Sequence, residues 1–278
     1  MGTLDGKVAL VTGAANKRSM GHEIVLRLAK EGAKIILVDK EPNPKSLFPG
    51  DEKWGGMDEV VSEVKSFGSD ALGLAADISK SKEVDSVIEK AVQKFGRVDI
   101  LVHCAAIRGP VGPTITELSE DEWKLILDVN TTGTFLIARA VAKQMIAKGE
   151  GGKIVLFASL AGTKGVPGSG AYCVSKWGVI GLAKTMAIEL AQHKIYVNAI
   201  SPGAIITNLR DNAFEKMGKD QGISTEEARQ ADYKKFGAAI PLGRLGTPQD
   251  IADLAYFLVS DQSNYITGEA IIISGGIT

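Results

Sequence analysis

The sequence predicts an α/β protein built on a doubly wound, seven-stranded parallel sheet flanked by helices on both faces. Three observations carry that prediction. Short runs rich in β-branched residues alternate with longer segments whose apolar residues recur at helical spacing. The runs are apolar almost throughout rather than at every second residue, as in strands buried on both faces. The alternation continues without a linker, an internal repeat or a low-complexity tract, so residues 1–278 read as one domain.

The first strand is KVALVTG (7–13), followed by the helix GHEIVLRLAKEG (21–32). Glycine permits a tight turn, and a helix N-terminus offers unpaired N–H groups and a positive dipole end to a pyrophosphate. Gly13, Asn16, Ser19, Met20 and Gly21 are the candidate contacts in that turn. The second strand, KIILVD (34–39), ends in Asp39, about 20 residues beyond the loop, where a carboxylate accepts hydrogen bonds from an adenosine ribose. Its charge repels a 2′-phosphate, so NAD rather than NADP is the expected cofactor. Lys17 and Arg18 argue the other way; with Asp39 present they are expected beside the pyrophosphate or in solvent, with Lys40 partly offsetting Asp39.

Residues 40–56, KEPNPKSLFPGDEKWGG, read as a long ordered loop. Two readings are open for it: a surface loop or subunit contact, and a flap laying Phe48 and Trp54 over the adenosine end. The helix MDEVVSEVKSFG (57–68) leads to the strand ALGLAAD (71–77), whose Asp77 is a candidate for the adenine edge. The helix KEVDSVIEKAVQKFG (82–96) leads to DILVHCA (99–105). All three helices end at glycine, as helix C-termini often do. His103, in an apolar strand, is expected to be packed and hydrogen-bonded rather than a base.

The fifth strand, KIVLFAS (153–159), ends in Ser159, placed to hydrogen-bond a substrate oxygen. In AYCVSKWGV, Tyr172 and Lys176 are four apart and share a helix face. An ordinary phenol, with a pKa of about 10, is a poor base at neutral pH. A nearby ammonium and a cationic nicotinamide stabilise the phenolate, which lets Tyr172 exchange a proton with a substrate alcohol. IYVNAIS (195–201) and AIIIS (270–274) complete the strands. Between them, residues 204–243 begin as loop and yield one polar helix, STEEARQADYKKFG (224–237), read as a substrate lid. Arg108, Lys164 and Arg210 leave strand ends near the pocket and are expected to be solvated surface charges.

The formal charge of −1 supplies no field for nucleic acid or an acidic membrane. Cys104 and Cys173 match no metal or redox spacing, and His22 and His193 have no ligand pattern, so no metal is expected. The N-terminal apolar run is only a strand long, and no stretch reaches the roughly 18 apolar residues of a membrane helix. The expectation is a cytoplasmic protein.

With these residues in view, the chain resembles the short-chain dehydrogenase/reductases over nearly its whole length. TG…G (12–21) is similar to the family's cofactor loop, though two residues longer and with Ser19 for the middle glycine. Asp39 resembles its NAD-selecting carboxylate, and Asp77-Ile78 its adenine-contacting Asp-Val. Asn130 in NTTG, Ser159 in FASLAG, Tyr172 and Lys176 resemble its tetrad. The resemblance implies a Rossmann-type fold in which Asn130 holds a proton-relaying water, Ser159 orients the substrate, Tyr172 is the acid/base and Lys176 binds the ribose. HCAA (103–106) replaces the family's Asn-Asn-Ala-Gly, with Cys104 and Ala105 still beside the adenosine ribose. Pro202, Gly203, Ile205 and Thr207 in SPGAIIT resemble the segment bordering the nicotinamide. The implied activity is hydride exchange between NAD and a secondary alcohol or its ketone, by a homotetramer or dimer. Two alternatives remain: NADP-dependent carbonyl reduction, and a non-catalytic NAD-binding protein. Enoyl reduction goes with a longer Tyr-to-Lys spacing in the family.

Overall fold

The computed structural model describes residues 2–44, 51–109 and 112–277, with backbone alone for 210–212. Its strands are β1 (Val8–Thr12), β2 (Lys34–Asp39), β3 (Ala71–Ala75), β4 (Ile100–His103), β5 (Gly152–Phe157), β6 (Ile195–Pro202) and β7 (Ala270–Ile273). They form one sheet in the order β3-β2-β1-β4-β5-β6-β7. Every pairing is parallel. All seven strands stand where the apolar runs predict, with ends that differ by at most two residues. β1 pairs with β2 on one side and β4 on the other, so the winding reverses between β1 and β4. Loops leaving the C-terminal ends of these two strands diverge and open a crevice.

Successive β1 residues feed opposite layers, as the two-residue period of a strand requires. Ala9 and Val11 join the core beneath α1 (Met20–Lys30), α2 (Gly56–Ser66) and α9 (Pro248–Val259). Val8 and Leu10 join the core beneath α3 (Ser81–Phe95), α5 (Thr134–Lys148) and α6 (Gly170–Leu190). Helix α4 (Glu120–Leu127) continues through a π turn, Asp128–Gly133, into α5. This run, Glu120–Lys148, is long and apolar enough to span a membrane by length and composition, contrary to the expectation from the sequence. Half of its most apolar window is buried, and Ile137, Ala138 and Val141 pack in the core against the sheet.

The segment after β6 differs from expectation. It holds two helices, α7 (Asp211–Gln221) and α8 (Thr225–Ala239), where the sequence suggested one. Ser224 and Glu227 form a reciprocal cap that starts α8.

Candidate active site

The crevice is a cavity of about 470 Å³ running from the end of β2 to the start of α6. Gly13 (φ +71°) turns the chain at its floor. A Cβ at Gly13 would lie 2.7 Å from the Ala105 backbone, and one at Gly21 only 2.4 Å from the Gly13 carbonyl oxygen. The first loop therefore nests against both the loop after β4 and its own helix. Ser19, in place of a third glycine, caps α1: its Oγ accepts from the His22 N–H at 3.0 Å.

At the far end, Asp39 Oδ2 accepts from Ala15 N–H at 3.0 Å and Oδ1 from Glu41 N–H at 3.2 Å. Burial pushes its carboxyl up, against the pull of the Ala15, Glu41 and Lys40 backbone donors. Lys40 does not offset Asp39. It pairs with Asp77 at 2.9 Å, and burial of Asp77 is outweighed by hydrogen bonds from Lys40 and Ser79 that hold its carboxyl at about 2.

At the near end, Tyr172 and Lys176 stand one turn apart on α6 and both line the cavity. Lys176 Nζ donates to the Phe157 carbonyl at 2.7 Å and lies 5.7 Å from the Tyr172 ring centre. The Ser159 hydroxyl hydrogen-bonds Tyr172, and its Oγ also accepts from Ala161 N–H at 3.2 Å. A Cβ at Gly162 would lie 2.8 Å from the Lys176 carbonyl, so this glycine lets the Ser159 turn approach α6. Burial lowers the Lys176 ammonium to about 8. Burial raises the Tyr172 phenol, opposed by Ser159 and by Arg108. In the free protein burial outweighs both, whereas the expectation from sequence rests on the ammonium together with a cationic nicotinamide.

Arg108 corrects a further expectation. It is half-buried, with its guanidinium carbon 5.9 Å from the Tyr172 ring centre. Asn130 explains this placement. Its Oδ1 accepts from Ile107 N–H at 2.9 Å, and its Nδ2 donates to the Ile107 carbonyl at 2.8 Å and to Ser175 Oγ at 3.1 Å. The Asn130 amide is thus committed to fixing the Ile107–Arg108 backbone. Any water it held would need its carbonyl, which accepts from Thr134 Oγ1 at 2.5 Å.

Gly13, Asn16, Ser19, Met20 and Gly21 line the cavity, as do Asp39, Asp77 and Ile78. So do Cys104, Ala105 and Thr207. Pro202, Gly203 and Ile205 do not. Pro202 and Gly203 belong to the β6–β7 pairing, where Gly203 N–H donates to the Ile273 carbonyl, and Ile205 bridges Gly246. His103 is packed and hydrogen-bonded, as expected, between Thr12 and Thr134. Burial pushes the Cys104 thiol up, which leaves it unreactive.

Of the insertion, residues 40–44 and 51–56 are described, and there Trp54 does not line the cavity. Phe48 lies outside the described residues. Trp54 packs behind the first loop, donating from Nε1 to the Ala15 carbonyl at 2.8 Å and meeting His22 edge-on at 5.3 Å. His22 in turn bridges the Lys17 carbonyl at 2.8 Å and Glu63 at 2.6 Å. Asp51, which sequence reasoning passed over, pairs with Lys17 at 3.0 Å and Arg18 at 2.6 Å. Lys17 and Arg18 are therefore held by a carboxylate while remaining half-exposed to solvent. The available signal was two added cations in the loop and an added acidic stretch after β2. Lys164 is half-exposed and has a partner of its own, and the Arg210 side chain lies outside the described residues.

Comparisons with known proteins agree with this geometry. A family model described as enoyl-(acyl carrier protein) reductase matches residues 13–278. A 3-oxoacyl-(acyl-carrier-protein) reductase of Thermotoga maritima is 35% identical over 274 residues, covering 99% of this chain and 98% of the relative. Dehydrogenase/reductase SDR family member 4 of Bos taurus is 33% identical over 273 residues, covering 98% and 88%. Carveol dehydrogenase from Mycobacterium avium, solved in complex with NAD, superposes with a TM-score of 0.85 at 30% identity, covering 99% of each chain.

Proposed function

This chain belongs to the short-chain dehydrogenase/reductase family, and we propose that it is an NAD-dependent oxidoreductase acting on a secondary alcohol or its ketone. The observation that carries the reading is that Tyr172, hydrogen-bonded to Ser159, and Lys176 line one end of a cavity whose other end is lined by Asp39. The cavity fits a dinucleotide: a glycine turn and a helix N-terminus lie midway, and a buried ammonium, one of whose three N–H bonds goes to Phe157, lines the near end. Gly13, Ser19 and Gly21 would border the pyrophosphate, Asp39 the adenosine ribose, and Lys176 the second ribose. The bound cofactor supplies or accepts a hydride.

The remaining work falls to the chain's own residues. Ser159 and Tyr172 hold the substrate oxygen between two hydroxyls. In reduction, Tyr172 gives its proton to that oxygen; in oxidation it takes the proton back. The Lys176 and Arg108 cations, each within 6 Å of the ring centre, stabilise the phenolate left by proton donation. Lys176 remains mostly ammonium at pH 7, because burial lowers it only to about 8.

The names of relatives favour a second reading, reduction of a 3-oxoacyl thioester, and NADP is the alternative cofactor. Asp39 and the pairing of Lys17, Arg18 and Lys40 with carboxylates argue for NAD. The Tyr172–Lys176 spacing argues for carbonyl over enoyl chemistry. Exposed Val174, Trp177 and Ile188 on α6 support a homo-oligomer, for which we retain a tetramer as the proposal. A screen of sugars, polyols, hydroxy acids and cyclic alcohols by NAD reduction, with 3-oxoacyl thioesters assayed in reverse, tests the reading. On the best substrate, Tyr172→Phe is expected to lose about 10²–10⁴-fold in kcat with NAD affinity retained. Turnover within a few-fold of the parent would refute the acid/base assignment.

A further inference from the structure

Resting on the NAD reading above, we propose that Asp51 is a cofactor-specificity residue that withholds Lys17 and Arg18 from the 2′-phosphate of NADP. The first loop carries two adjacent cations at the adenosine end, a composition suited to that phosphate. Its backbone touches the selecting carboxylate directly, since Ala15 N–H donates to Asp39 Oδ2 at 3.0 Å. Lys17 and Arg18 follow Ala15 by two and three residues in the same loop.

Asp51 reaches the loop from the insertion after β2 and takes both cations with one carboxylate, Oδ1 on Lys17 Nζ at 3.0 Å and Oδ2 on Arg18 Nε at 2.6 Å. The asymmetry of burial shows which partner is fixed. The Asp51 side chain is 2% exposed, whereas those of Lys17 and Arg18 are 43% and 40% exposed. A buried anion thus holds two half-exposed cations. Burial alone would raise the Asp51 carboxyl, and the hydrogen bonds from Arg18 and Lys17 hold it below its ordinary value, so the clasp is charged at neutral pH.

Trp54, three residues beyond Asp51, gives this segment a second attachment to the loop. Trp54 Nε1 is anchored on the Ala15 carbonyl at 2.8 Å, and Lys17 Nζ lies 5.6 Å from the Trp54 ring centre. Lys40 is held in the same manner by Asp77 at 2.9 Å. Among the described residues, Asp39 accepts from the backbone N–H groups of Ala15, Lys40 and Glu41. A 2′-phosphate entering here would meet a carboxylate, with the nearby cations already engaged. Selection against NADP is then shared: Asp39 repels, and Asp51 removes the compensation that the loop would supply.

The test is cofactor binding, read by titrating tryptophan fluorescence with NAD and with NADP, alongside kcat/KM for each. The proteins are the parent, Asp51→Asn, Asp39→Asn and the double variant, each checked for an unchanged melting temperature. Asp51→Asn is expected to tighten NADP about tenfold, the worth of one charge-assisted contact, with NAD within twofold. The double variant should gain more than the product of the single gains, and Lys17→Met with Arg18→Met should abolish that gain. Asp39→Asn alone, with Asp51 intact, should gain less than threefold, which keeps the test decisive if Asp51→Asn folds poorly. NADP affinity within twofold of the parent after Asp51→Asn, or a tenfold gain from Asp39→Asn alone, overturns the proposal. A parent that binds NADP more tightly than NAD overturns the NAD reading itself, whatever Asp51 does.

Discussion

His103 should make this protein acid-sensitive in a way that one substitution removes. The imidazole is 1% exposed and sits in a chain of donors with a single consistent polarity. Ala105 N–H donates to Thr12 Oγ1 at 3.1 Å, so Thr12 passes its own proton to His103 Nδ1 at 2.8 Å. Thr134 gives its proton to the Asn130 carbonyl, so it accepts from His103 Nε2–H at 3.0 Å. Only the neutral Nε2–H tautomer satisfies every partner. Burial, helped by the Lys176 charge, accordingly lowers the His103 pKa from 6.5 to about 3. Because the folded value lies below the unfolded one, the unfolded chain binds more protons between these two pH values. The contribution is present above pH 6.5 and is lost as pH falls toward 3. The loss from this group is about 2 kcal/mol at pH 5 and about 5 kcal/mol at its acid limit, at 1.36 kcal/mol per pH unit. His103→Asn keeps a donor and an acceptor but does not titrate. Urea unfolding of both proteins at pH 7, 6 and 5, followed by far-UV circular dichroism, should show the variant gaining about 2 kcal/mol on the parent across that range. Parallel losses, within about 0.5 kcal/mol, would show that His103 does not titrate on unfolding and that the neutral chain is wrong.

Two further outcomes follow from the site. Gly21→Ala places a Cβ 2.4 Å from the Gly13 carbonyl oxygen, and neither backbone segment can yield without moving the first loop. Differential scanning calorimetry should register a loss of about 1–3 kcal/mol, and NAD titration a tenfold or greater loss of affinity; unchanged affinity would mean that the loop is not the dinucleotide cradle. Lys176 loses its charge as pH rises through about 8, so NAD affinity should weaken about fivefold between pH 7 and 9.5, the difference between a charged and a neutral donor. Lys176→Met should bind weakly with no pH dependence over the same range, and a parent with flat affinity would place the ammonium away from the cofactor.

The parts of this protein that were legible in sequence share a physical reason: each writes a short-range period. Strands buried on both faces appear as continuous apolar runs, and all seven were placed within two residues. Tyr172 and Lys176 lie on one helix face because they are one turn apart, and spacing alone reveals that. Helix α7 was illegible for the converse reason. Its sequence, DNAFEKMGKDQ, carries no apolar stripe, and Phe214 and Gly218 are its only buried residues among those described.

The parts that sequence could not disclose are contacts between segments that no period links. Asp51 stands 33 and 34 residues beyond its two cations, and nothing along the chain marks the pairing. Arg108 reaches Tyr172 because Asn130, itself in a π turn that propensity does not foretell, grips both backbone groups of Ile107. These same contacts decide the two properties on which the sequence was equivocal. Under the proposed function, one would limit the cations a cofactor phosphate meets, and the other places a charge beside Tyr172. The selectivity proposed here therefore rests on long-range pairings laid over a locally written frame. That is why Lys17 and Arg18, read alone, argue for NADP, and why the same residues held by Asp51 argue for NAD.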